Sequence, residues 1–175
     1  MKQHVEVAME FELKDISPEA VPRALEKAER YRLLNEPGEA ESICRDVLKV
    51  DRDNQDALRS LILALTEQFH DDASTVVEAR AAVGQLRDDY ERSYYAGIIA
   101  ERRAKARLRH GMPGCGPQAY EWLREAMSLY DKAEAMRPAG NDDARLRWNA
   151  CARLIMHDSH LVPIGEDRGE PLLLE

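Results

Sequence analysis

Apolar residues recur along this chain at steps of three and four, the period of a helix with one buried face. Val21, Ala24, Leu25, Ala28, Tyr31 and Leu34 form the first such stripe. Ser17-Pro18-Glu19 ahead of it reads as a helix start. The serine is a hydroxyl cap, the proline loses no bond in a first turn, and the glutamate sits at the positive helix end. Asn35-Glu36-Pro37-Gly38 breaks the pattern. A second stripe, Ala40, Ile43, Cys44, Val47 and Leu48, ends near Val50. The polar connector Asp51-Arg52-Asp53-Asn54 leads to a third, Ala57, Leu58, Leu61, Ile62 and Leu65. After His70-Asp71-Asp72 a fourth helix is expected from about Ala73 to Arg87, with Val76, Val77, Ala79, Val83 and Leu86 inward. A fifth spans Tyr90 to Arg109, and a Gly/Pro-rich loop from Gly111 to Pro117 follows it. A sixth runs from Gln118 to Met136 and stops at Arg137-Pro138-Ala139-Gly140. A seventh runs from Asp142 to His157, with Leu146, Trp148, Cys151, Leu154 and Ile155 inward. The predicted class is all-α.

The ends differ from the helical body at 17–157. In residues 1–16, Val5, Val7, Met9, Phe11 and Leu13 alternate as a strand does, while Val5, Met9, Leu13 and Ile16 fit a helix face. No other strand pattern is evident, so the segment reads as an arm or cap over the first helices. As a strand it would pair with a second copy of itself and make a homodimer. Residues 158–175 read as an extended tail. Leu161, Val162 and Ile164 are candidates to fold back into a groove.

Paired short helices call for a repeat test. Ala28, Ile62 and Gly97 stand at the tight inner points of the first, third and fifth helices, 34 and 35 residues apart. Ala40, Cys44, Val47 and Arg52 share the spacing of Ala126, Tyr130, Ala133 and Pro138. Small residues let two helices approach, and large ones fill the gap to the next pair. This pattern resembles the tetratricopeptide repeat family over roughly Val21 to Met156. The set at Ala126 to Pro138 matches that family's small–aromatic–small–proline order in full, and Ala28 with Tyr31 matches its small–tyrosine pair. Cys44, Arg52 and Ala24 depart from it. The resemblance implies an α–α superhelix of about three units with a closing helix. The third unit is oversized, since Gly97 and Ala126 lie 29 residues apart where Ala28 and Ala40 lie 12 apart.

Composition narrows the function. Lys plus Arg total 25 against 33 Asp plus Glu, a net charge of −8, which argues against nucleic acid as a partner. No apolar run approaches a membrane span. Acidic residues interrupt the apolar start, which is unlike a secretory or transit peptide. Three unspaced cysteines argue against a disulfide framework and for a reducing, cytoplasmic setting. Against this acidity, Arg102, Arg103, Lys105, Arg107 and Arg109 form a local basic run, read first as a solvated face, next as a meeting place for an acidic partner segment, with RNA the remaining alternative.

The resemblance also implies a concave groove that binds a protein or peptide segment. Carried onto this sequence, its positions are Leu25, Glu29 and Arg32; Arg59, Ser60, Leu63 and Glu67; Tyr94, Tyr95, Ile98, Glu101 and Arg102; and Trp148 or Asn149, one register apart. Adjacent tyrosines are apt anchors, having apolar bodies and polar tips. Some family members clamp a terminal carboxylate with Lys and Asn, but Leu25, Glu29 and Ser60 occupy the corresponding places, so that clamp is not expected. Cys115 has no adjoining cation to activate it, and His157 with His160 lacks the further ligands a metal needs. Phosphate loops, dinucleotide fingerprints and nucleophile elbows are missing. The expectation is a noncatalytic interaction adaptor without metal or cofactor. By size and charge it is analogous to the repeat-type chaperones of bacterial secretion. The alternatives are a small-ligand binder or enzyme with a pocket at Tyr94, Tyr95 and Arg102, and a self-assembling subunit.

Overall fold

The computed structural model describes residues 11–69, 73–109, 111 and 114–165. Among them the chain is all-helical: α1 Val21–Leu33, α2 Pro37–Val50, α3 Gln55–Glu67, α4 Ala73–Val83, α5 Asp89–Arg109, α6 Cys115–Met136 and α7 Asp143–His157. No described helix is long and apolar enough to cross a membrane. Each helix packs on its sequence neighbours through short connections, and α1 with α3, and α3 with α5, also touch.

Local chemistry sets the boundaries. Ser17 makes no side-chain cap; Pro18–Ala20 forms a 3₁₀ turn instead and leads straight into α1. Asn35 adopts a positive φ of 60°, which asparagine tolerates better than most residues, and this turns the chain from α1 into α2. Asn54 caps α3 by accepting the Ala57 amide at 2.9 Å. Helix α4 ends at Val83, four residues earlier than its pattern predicts, and Leu86 is buried from the turn that follows. Helix α6 begins at Cys115, three residues earlier than predicted, after Gly114 at φ +76°. Pro117 fits because a first-turn amide has no helical partner anyway.

Helix α5 separates two cores. It gives Ile99 and Ala106 to a cluster with Ala28, Cys44, Ile62 and Leu65 from α1 to α3 and Leu86 beyond α4. It gives Tyr90, Ile98, Ala100 and Ala104 to a second cluster with Leu123, Tyr130 and Cys151 of α6 and α7. α5 and α6, at 21 and 22 residues, far exceed the 13 of α1 and α3. The three inner points expected from spacing, Ala28, Ile62 and Gly97, are all buried.

Several positions differ from expectation. Val77 is 67% exposed and Leu146 65% exposed. Each lies out of phase with its helix's buried stripe, because one residue turns the helix by about 100°. Leu34 is exposed beyond the end of α1. Residues 11–16 are neither helix nor strand, and Phe11 and Leu13 face solvent; Asp15 pairs with Lys49 at 2.5 Å. Val5, Val7 and Met9 lie outside the described residues. Leu161 does not face a groove. It is buried in the second core, where the chain at His160 crosses the first turn of α6.

Gly97 gives the sharpest test of this packing. A Cβ there would stand 2.5 Å from Tyr130 Cε1 and 2.8 Å from Cδ1, closer than carbon atoms approach. By helix propensity alone, Gly97→Ala would stabilise by about 1 kcal/mol. Overpacking reverses the sign, and urea unfolding should show net destabilisation of about 1–2 kcal/mol. A more stable variant would mean that α5 and α6 are not packed this closely.

Candidate functional site

α1, α3, α5 and α7 contribute side chains to one polar face. The ladder starts on α1, where Arg32 bonds Glu29 at 2.7 Å and Glu67 of α3 at 2.7 and 3.2 Å. The Glu67 oxygen Oε1 also meets Arg102 of α5 at 3.3 Å. Arg102 donates to Thr66 Oγ1 at 2.7 Å and to the Leu63 carbonyl at 3.2 Å. One turn further, Lys105 and Arg147 of α7 share Glu101 Oε1 at 2.5 and 3.4 Å. Nearer the other end of the face, Arg59 spans Asp56 and Glu91, the latter at 2.7 Å.

Glu101 is the anchor. It is fully buried, and its second oxygen accepts the Tyr130 hydroxyl at 2.6 Å. Burial would raise a carboxyl pKa, but bonds from Lys105 and Tyr130 and the charges of Lys105 and Arg147 bring it below the ordinary value. Burial and Glu101 together push the Tyr130 hydroxyl far up. Arg102 is held below the usual arginine value by burial and by the charges of Arg147 and Arg32, against the pull of Glu67. An open cleft of about 540 Å³ lies here, lined by Asn35, Thr66, Glu67, Glu101, Arg102, Lys105, Arg109 and Arg147.

The aromatic residues sit beside this ladder. Tyr94 stacks on Tyr90 at 5.7 Å and meets Tyr95 edge-on at 5.3 Å and Tyr130 at 6.0 Å. Tyr95 has its hydroxyl pushed up to about 12, chiefly by burial, with Arg59 opposing. Both rings are half-buried against the cores. Arg103 covers Trp122 at 3.9 Å, so the basic run is not one solvated face: Arg102 and Arg103 turn to different sides.

The face brings together Glu29, Arg32, Arg59, Leu63, Glu67 and Arg102 from the expected set. Ile98 is a correction: it is 1% exposed and belongs to the second core. Glu101 also reaches the cleft, as its buried floor, 0% exposed. Tyr94 and Tyr95 are not among the residues that line this cleft with Arg102. On α7 the residue that reaches the cleft is Arg147, not its neighbours Trp148 and Asn149. Its signal was in the sequence, for Ala144 and Cys151 mark the buried side and Arg147 lies three after one and four before the other. Cys44 and Cys151 are core thiols, each raised to about 12 mainly by burial, and Cys115 opens α6. No cluster of His, Cys, Asp and Glu suited to a metal occurs among the described residues.

No protein-family model matches the chain, and no curated protein or solved structure matches it.

Glu101 links the face to stability. Its folded pKa lies below the ordinary 4.5. Its contribution is therefore fully present above about pH 4.5 and is lost as pH falls through the folded value. Glu101→Gln should cost about 2–3 kcal/mol at neutral pH, by loss of charge-assisted bonds. Urea unfolding of both proteins should show that gap shrinking at about pH 3.5. A gap that persists undiminished in acid would remove the ionic account of this residue.

Proposed function

We propose that this chain is a noncatalytic interaction module, built as a short tetratricopeptide-like superhelix, that holds a segment of a partner protein. The segment lies across the face of α1, α3, α5 and α7. The reading rests on the continuity of that face. Arg32, Glu67 and Arg102 form one run of pairs across α1, α3 and α5, and Lys105, Glu101 and Arg147 a second across α5 and α7, the two meeting at the neighbouring residues Glu101 and Arg102. Such pairing fixes the spacing of alternate helices and leaves polar side chains half-exposed between them.

Support for the repeat resemblance comes from the close approach of Gly97 to Tyr130, small against aromatic, and from the burial of Ala126 and Ala133. Tyr95, Leu63 and the stem of Arg59 supply half-buried apolar surface for a partner side chain. The surrounding charges supply orientation.

The test compares two double variants for partner capture from the native lysate with mass spectrometry. Glu29→Lys with Ser60→Arg alters the face; Glu39→Lys with Arg52→Glu alters the α2 side. Glu29, Glu39 and Arg52 are exposed and Ser60 is half-buried, so circular dichroism should be unchanged in both. The face variant should lose its partner by about tenfold or more, and the α2 variant should retain it. Equal capture by both would refute the reading.

A further inference from the structure

The cleft has more positive charge than its own carboxylates can neutralise. Arg102, Lys105, Arg109 and Arg147 line it, against Glu67 and Glu101. Glu67 is already shared with Arg32, and Glu101 gives its second oxygen to Tyr130. Two carboxylate oxygens thus each serve a pair of cations: Arg32 with Arg102, and Lys105 with Arg147. Four cations against two anions leave a surplus of two. This surplus stands in a protein whose net charge is −8, so it is not a general property of the surface.

The cations are also held in place. Arg102 is fixed by the Leu63 carbonyl, Thr66 and Glu67, and Arg147 is held by Glu101. They cannot swing apart to relieve their repulsion without giving up those bonds. An incoming anion would be met by a prearranged set of donors.

We propose that this cleft binds the dianion of a phosphomonoester, gripped by Arg102, Arg147, Lys105 and Arg109. A double negative charge matches the surplus, where a single carboxylate would leave half of it. Guanidinium groups present paired N–H donors that match phosphate oxygens. The volume of about 540 Å³ falls within the range of small-ligand sites. Burial and, after it, repulsion from Arg147 and Arg32 depress the Arg102 pKa, and an anion would relieve the repulsion. The phosphate belongs either to a free small molecule or to a phosphorylated side chain of a protein segment. The site depends on its own charges and not on the partner-segment reading.

Titration calorimetry of the full chain at constant ionic strength tests this without any partner. The probes are glycerol phosphate, a phosphoserine peptide, and dimethyl phosphate, which keeps the tetrahedral shape with one charge. Glycerol phosphate should bind saturably, and dimethyl phosphate about tenfold or more weakly. Arg147→Gln should weaken glycerol phosphate about tenfold. Arg109→Gln, at an exposed position that cannot disturb folding, should weaken it about threefold. Similar affinity for the peptide and glycerol phosphate would assign the site to a free phosphomonoester, and markedly tighter peptide binding to a phosphorylated segment. No saturable binding of either monoester at about 10 mM, equal binding of dimethyl phosphate, or indifference to both substitutions would overturn the proposal.

Discussion

The bond from Tyr130 to Glu101, lying over Gly97, is the constraint on which the rest of this structure depends. A carboxylate in the interior costs several kcal/mol unless its oxygens are fully occupied. Here one oxygen takes the Tyr130 hydroxyl, and the other takes Lys105 and Arg147. Meeting that requirement fixes three helices at once. Tyr130 can reach Glu101 only because residue 97 has no side chain, and Arg147 can reach it only if α7 lies along α6 in one register. The arrangement need not add stability over an apolar core of equal volume. Its effect is to make one alignment of α5, α6 and α7 much better than its neighbours.

From that alignment the charge distribution follows. With Glu101 turned inward, the next residue, Arg102, turns by about 100° toward α3, where Thr66 and Glu67 receive it. Glu67 then has Arg32 on its other side. Helices of the two cores are joined through these polar contacts as well as through the shared wall of α5. The same geometry gathers cations from α5 and α7 around carboxylates that are already committed. A cationic cleft in an acidic chain is thus the outcome of where one buried glutamate had to go.

The sequence makes the helical class and most helix boundaries legible, because hydrophobic phase and breaker residues report directly on local geometry. Ala28, Ile62 and Gly97 were found by spacing alone, and all three are buried. Size misled where phase should have decided. Val77 and Leu146 are large but stand off the buried stripe. The repeat pattern places Ile98 in a groove as though α5 had a free side. In fact α5 packs against α3, α4 and α6, and only a narrow strip of it remains open. Arg147 is not legible in the sequence as a site residue, because a charged residue on a buried stripe reads as a register error until its buried partner is known. The pairs join residue 32 to 67, 67 to 102 and 101 to 147, and no local pattern reports on pairings at that distance.

A double-mutant cycle between Glu101→Gln and Tyr130→Phe, read by urea unfolding at neutral pH, tests this account most directly. If the carboxylate and the hydroxyl form the bond that aligns α5 with α6, the two changes should be coupled by about 1–2 kcal/mol. Simple additivity, with coupling below about 0.3 kcal/mol, would contradict it and would leave the register of these helices to apolar packing alone.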